Sequence, residues 1–195
     1  MDGITSFVIN LDRRPDRWIA VKEELENNGF SPYRVSAIDN KWKGCRDSHL
    51  YVLESAFDLN SFFVFEDDVE FIGHVGAIRN AINQLPKDWD CLYLGASPQS
   101  SQERVSQNLF RISNSWCMHA IFWHNRIGGA IEYILKNRDK IGKIDVFMST
   151  EIMPKFNCFL VYPIVCTQRE TNTSDTCTKS DVSTIKRNYD KHCSI

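Results

Sequence analysis

The run Phe62-Phe63-Val64-Phe65 is followed at once by Glu66-Asp67-Asp68, and this junction constrains the fold more than any other part of the chain. Four large apolar residues in succession read as a strand buried on both faces. Three carboxylates cannot continue into the same core, because burying unpaired charge is very costly. They must emerge at the C-terminal edge of the strand, where open α/β sheets bind their ligands. Hard oxygen ligands clustered there suit a divalent cation such as Mg²⁺ or Mn²⁺, useful where a diphosphate is bound or expelled. The competing reading is an acidic turn that simply faces water.

The flanking sequence predicts what this strand packs against. Ser6 to Leu11 reads as a first strand. A helix follows with Pro15 at its first position and Trp18, Val21 and Leu25 on one stripe, stopped at Asn28-Gly29. Tyr33 to Val35 reads as a short second strand, Gly44 to Phe57 as a second helix, and Val75 to Leu85 as a third, closed by Pro86. Strands are expected at Cys91–Gly95, Leu109–Ile112, Met118–Trp123 and Cys158–Tyr162, and helices at Ile127–Leu135 and Asp145–Phe156. Ser97 to Val105 is polar and reads as a loop. The alternation βαβαβαβ predicts an α/β sandwich with a mostly parallel central sheet.

Residues 1–175 are expected to form a single domain, and 176–195 a polar tail. Lys179, Lys186, Arg187, Lys191 and His192 make that tail mildly basic. Solvation is its default reading and a weak membrane-surface contact the alternative. A length of 195 residues is enough for one domain with a sizeable core. The net charge of −2 argues against a nucleic-acid partner, which usually demands a basic excess. The seven cysteines are scattered, without a C-x-x-C pair, as expected for reduced thiols in the cytoplasm. Residues 1–10 lack the pattern of a signal peptide, and no apolar run approaches the roughly 20 residues of a membrane span.

Six segments, taken together and in order, resemble glycosyltransferase family 25, the lipopolysaccharide and collagen galactosyltransferases. They are VINLDRRPDRW (8–18), GCRDSHLYVLE (44–54), FVFEDDVEF (63–71), DWDCLYLGA (88–96), HAIFWHNRIGGA (119–130) and IDVFM (144–148). Ile121 stands where the family usually carries an aromatic residue. The resemblance implies a GT-A fold (a Rossmann-like nucleotide-diphospho-sugar transferase sandwich), a UDP-sugar donor, a divalent metal and transfer with inversion. It implies a hexose, galactose or glucose, passed to a glycan, a lipid-linked sugar or a protein hydroxyl. A metal-dependent phosphohydrolase and a nucleotide-sugar-binding domain without transferase activity are the rival readings.

Candidate site residues follow from position. Glu66 and Asp68 are one residue apart, so in an extended segment they share a side and pair for metal and diphosphate. Asp67 points the other way, toward sugar or ribose hydroxyls. Asp175, in a Ser-Asp pair that resembles the family's C-terminal motif, and His119 are candidates for a third ligand. Asn10 and Leu11 end the first strand and line the nucleotide pocket. Arg13, Arg14 and Arg17 either reach phosphate or are solvated surface charges. Ala37 and Asp39 end the second strand, with Asp39 placed for ribose hydroxyls. Gly44, Ser48 and His49 open the second helix and offer donors to an anion, or His49 is a buried, hydrogen-bonded structural histidine. Asp145, at a helix start, reads as the catalytic base or as a cap with no chemical duty. Glu151 is the reserve base.

Overall fold

The computed structural model describes residues 3–169 and 182–193. The chain begins β1 (Ser6–Asn10), α1 (Pro15–Asn27), β2 (Pro32–Ser36), α2 (Lys41–Ser55), β3 (Ser61–Glu66), β4 (Val69–Phe71) and α3 (Gly76–Ile82). It continues β5 (Cys91–Tyr93), β6 (Ser97–Pro98), β7 (Glu103–Ser106), β8 (Leu109–Arg111), β9 (Ser115–Trp116) and β10 (Ala120–His124). Then come α4 (Ala130–Lys136), α5 (Ile144–Phe147), β11 (Cys158–Val161), β12 (Cys166–Gln168) and α6 (Val182–His192). α5 passes directly into a π-helical turn, Met148–Ile152.

Eight strands form one sheet in the order β2-β1-β3-β10-β5-β11-β8-β7. β1 pairs in parallel with β2 and β3, and β5 with β11. β10 runs antiparallel between β3 and β5, and β8 antiparallel to β11 and β7. Six of the eight strands therefore point one way, and the expected α/β sandwich with a mostly parallel central sheet is the architecture observed.

Alternation along the strands builds the two layers. Ile9, Phe62 and Val64 face one core, which packs under Leu50 and Leu53 of α2, Ile131 and Ile134 of α4, and Phe147 of α5. Val8, Phe63 and Phe65 face the other, under Val21 and Leu25 of α1 and Ile78 and Ala81 of α3. Phe63 stacks on Phe122 with ring centroids 4.2 Å apart, and Phe30 meets Phe63 edge-on at 5.1 Å. Each fully buried phenylalanine of β3 contributes about 1.5–3 kcal/mol. The strand that ends in the acidic triplet is thus anchored in both layers.

Several expected boundaries are corrected. The stretch Ser97–Val105 is not simply a loop: β6 pairs with β9 and β7 with β8, so neighbouring strands supply the backbone partners its polar sequence hides. The second helix starts at Lys41 rather than Gly44, and the Gly44 N–H already donates to Asn40 O at 2.9 Å. The helix expected over Asp145–Phe156 changes to π geometry after Phe147. Within the expected polar tail, α6 is amphipathic. Its Ile185 and Tyr189 are buried, as is Cys193 just beyond it, and the Ile164 N–H donates to Tyr189 Oη at 3.0 Å. Six cysteines among the described residues are free thiols. No helix among the described residues is long and apolar enough to cross a membrane.

Candidate active site

Because β1, β2 and β3 are parallel, their C-terminal ends lie on one edge of the sheet. That edge carries Asn10, Ala37 and Glu66, and the Ala37 N–H donates to Asn10 O at 2.9 Å. β10 runs the other way, so its N-terminal end arrives at the same edge. The Glu66 N–H donates to His119 O at 2.9 Å.

The layer parity of β3 continues through the triplet. Glu66 turns to the α2 side, where its Oε1 lies 3.0 Å from His49 Nε2 and 3.9 Å from Cys45 Sγ. Its Oε2 lies 3.5 Å from Gln168 Nε2, which also reaches Asp68 Oδ2 at 3.3 Å. Asp67 turns to the α1 side: its Oδ2 accepts from Asn10 Nδ2 at 2.7 Å and its Oδ1 from Arg17 Nη1 at 3.0 Å. Glu66 and Asp68 therefore share one amide between them, while Asp67 is clamped to β1 and α1.

Charge is compressed here. Burial, reinforced by the charges of Glu66 and Asp67, pushes the Asp68 carboxyl up to about 7. Burial also works to raise Glu66, but the hydrogen bond and charge of His49, with the charge of His119, hold it below the usual range. Asp67 is raised, chiefly by burial, against its bonds to Asn10 and Arg17. His119 is fully buried, and burial lowers it against the opposing charge of Glu66. The Cys166 carbonyl approaches this ring without full hydrogen-bond geometry, and neither ring nitrogen has a partner among the described residues. Asp68 Oδ1 is likewise buried without a donor. Orphaned buried polar atoms are rare and carry a desolvation penalty. Asp68 Oδ1, on a carboxylate that shares Gln168 with Glu66, is a hard oxygen of the kind a divalent cation accepts.

The ligand atoms of Cys45, His49 and Glu66 lie within 4.8 Å of one another, the one set of three His, Cys, Asp or Glu side chains gathered that closely among the described residues. His49 and Cys45 both approach the same oxygen, Oε1, so the group also serves to orient Glu66 and leave Oε2 toward Asp68. Nothing in the sequence pattern singles out Cys45 or Gln168. Gln168 reaches the site from β12, which pairs with β4 just after the triplet.

The remaining candidates fall into two groups. Asn10 is buried and fully engaged: its Oδ1 accepts from Arg34 Nε at 2.8 Å and its Nδ2 also donates to Arg14 O at 3.0 Å. Leu11 O accepts from the Arg14 N–H at 2.8 Å, shaping the turn. Arg13 pairs with Asp39 at 2.8 Å, and Arg14 with Asp16 at 2.9 Å. Arg13 and Asp39 are 49% and 57% exposed, so their pair is worth about 0–1 kcal/mol and exchanges readily for a ligand. Ser48 is buried, donating to Gly44 O at 2.7 Å and accepting from the Ile38 N–H at 2.8 Å. Both its functions hold α2 against the end of β2.

Gly44 belongs to the same joint. A Cβ there would sit 1.9 Å from Ile38 O, a backbone atom that cannot swing away. Gly44→Ala is expected to cost about 1–3 kcal/mol through overpacking, read as a lower urea midpoint. An unchanged midpoint would show that the start of α2 can shift freely.

Asp145 sits at the start of α5, partly exposed, with its Oδ1 accepting from the Val146 N–H at 2.9 Å. Burial and the charges of Glu66, Asp145 and Asp68 push the neighbouring Cys117 thiol up to about 12. Asp145 and the triplet thus act on one side chain. Glu151 instead pairs with Lys155 and lines a different cleft of about 390 Å³ with Tyr133 and Lys143. Asp175 lies outside the described residues.

No family model matches the chain, and no curated protein does. Among solved structures it is similar to a glycosyltransferase involved in the glycosylation of the major capsid of PBCV-1. That likeness has a TM-score of 0.50 at 9% identity, covering 95% of this chain and 98% of the other. The likeness is one of fold. A197 from STIV is similar to the same degree, with a TM-score of 0.51 at 9% identity over 91% of this chain and 98% of that one. At such identity the likeness concerns backbone architecture, and the roles of residues must be argued from their own geometry.

Proposed function

We propose that this protein is a metal-dependent glycosyltransferase moving a hexose from a UDP-sugar, with inversion, in the manner the resemblance to family 25 implies. The observation that carries the reading is the Glu66–Asp68 pair, bridged by Gln168 at the ligand-binding edge of the sheet, with Asp68 Oδ1 left without a donor among the described residues. That pair would hold Mn²⁺ or Mg²⁺ through Glu66 Oε2 and Asp68. A cation bound there supplies Lewis-acid neutralisation of the diphosphate as UDP departs.

The other residues act in their own right. The turn after β1, Asn10 to Arg14, and Asp39 after β2 border the nucleotide, and the exposed Arg13 trades its bond to Asp39 for phosphate. Asp67, held by Asn10 and Arg17, fixes the path of the triplet. Asp145 takes the proton of the acceptor hydroxyl as that oxygen attacks the anomeric carbon from the face opposite UDP.

The test is UDP release from a panel of UDP-hexoses with Mn²⁺, beside thermal stabilisation by UDP. Turnover of UDP-galactose or UDP-glucose, dependent on the cation, is the expected result. No turnover with any donor and no stabilisation by UDP would overturn the reading. Inorganic phosphate release without sugar transfer would replace it with a phosphohydrolase.

A further inference from the structure

Beside Asp145 lies a cleft of about 530 Å³ between β9, the segment after β6 and the α5–π-helix stretch. Its walls include Trp116, Val146 and Pro154 as apolar surface, and Gln99, Asn114 and Ser149 as polar groups. Trp116 is 49% exposed and Val146 43% exposed, an indole face and an isopropyl group left open to solvent at one spot. The indole is not on a loose loop. Trp116 pairs with Ser97 in the β6–β9 ribbon, and the neighbouring Ser115 is buried.

The polar rim is set as firmly. Ser149 Oγ donates to Asn114 Oδ1 at 2.5 Å, which turns the Asn114 amide nitrogen outward without a partner among the described residues. Gln99 Nε2 donates to Ser97 O at 2.7 Å, which leaves Gln99 Oε1 as an acceptor. The cleft thus offers a flat aromatic face, an amide donor and an amide acceptor. A pyranose ring has the matching chemistry: a face of C–H groups and a rim of hydroxyls that both donate and accept. A phosphate or an acidic peptide has no cation to meet among the residues named here.

Position gives the cleft its role. Val146 follows Asp145 directly, and Cys117, on which the charges of Asp145, Glu66 and Asp68 act, follows Trp116 directly. The cleft thus borders, on two of its walls, residues next in the chain to the proposed base and to the thiol that the triplet's charges reach.

We infer that this cleft is the acceptor subsite and that the acceptor is a glycan, whose terminal pyranose stacks on Trp116 and hydrogen-bonds to Asn114 and Gln99. The inference rests on the glycosyltransferase reading. It is tested by saturation-transfer NMR of the full chain with the methyl glycosides of galactose, glucose, mannose and N-acetylglucosamine, with and without saturating UDP. At least one glycoside binds the wild type whether or not UDP is present. Trp116→Ala weakens that binding about tenfold or more, and Trp116→Phe, which keeps an aromatic face, stays within about threefold. Both variants keep the stabilisation by UDP seen in the wild type. Absence of glycoside binding to the wild type, equal binding by Trp116→Ala, or displacement of the glycoside by UDP would each overturn the subsite. Failure of UDP to stabilise any of the three proteins would instead sink the donor reading, so the two failures are told apart.

Discussion

Asp68→Asn is expected to abolish the proposed cation-dependent UDP binding and, in the metal-free protein, to raise the melting temperature. Both effects come from one carboxylate. In the folded chain its carboxyl is pushed to about 7 from an ordinary 3.8. Between those values the folded state holds a proton that the unfolded state has released, so stability falls as pH rises through this window. The penalty is fully present above pH 7 and absent below about pH 4. Three units correspond to about 4 kcal/mol, and the partial solvent access of the side chain brings the expected gain to about 1–3 kcal/mol. Asparagine keeps the size, can still meet Gln168, and carries no charge against Glu66. Thermal unfolding without metal at pH 8 and pH 4.5 checks the sign, with the variant's advantage confined to pH 8. Mn²⁺ with UDP then stabilises the wild type more at pH 8 than at pH 6, since a ligating Asp68 must lose its proton. The variant shows no such stabilisation. Mn²⁺-dependent UDP binding that survives the substitution would remove Asp68 from the cation site.

Local signals made one half of the molecule legible and non-local pairing hid the other. β1, α1, β2 and β3 follow from short apolar runs, Pro15 and Asn28-Gly29, each decided within a few residues. The division of the triplet also rests on period two alone, and Glu66 and Asp67 indeed turn to the α2 and α1 sides of the sheet. Strand order is another matter. An apolar run such as Ala120–Trp123 looks the same whether it pairs in parallel or, as here, antiparallel between β3 and β5. β6, β7, β9 and β12 are short, and their pairing depends on partners far along the chain, so composition alone renders them as loop.

The same limit applies to the site. Cys45 and His49 are close in sequence, but only the packing of α2 on the sheet brings both to Glu66 Oε1. Gln168 sits about a hundred residues from Asp68 and bridges the pair only because β12 folds back on β4. A helix start at Gly44 makes Gly44 and Ser48 part of an anion site. Moving that start to Lys41 places both inside the first turns, where they join α2 to Ile38. Trp116, an isolated aromatic in a polar stretch, gains meaning only from the cleft around it.

Asp145→Asn lowers transfer by about a thousandfold while leaving UDP binding and the fold intact, the effect of removing a general base. The substitution separates the two roles open to this residue. Asp145 Oδ1 accepts from the Val146 N–H at 2.9 Å, a contact an asparagine carbonyl also makes. Asp145 is the second residue of α5, whose N-cap position is Lys143, and an asparagine keeps this one local contact, so a residue with only that structural duty loses little on substitution. A base loses everything, because an amide cannot take the acceptor proton at neutral pH. Asp145→Ala removes both functions and adds to the same fall in transfer a stability loss of about 0.3–1 kcal/mol, the worth of a carboxylate in a helix's first turn. Glu151→Gln serves as the control: that carboxylate is paired with Lys155 at a separate cleft and its loss changes transfer less than about threefold. Transfer by Asp145→Asn at the wild-type rate would leave Asp145 with its local structural contact alone, and a thousandfold loss in Glu151→Gln instead would move the base to the π-helical turn.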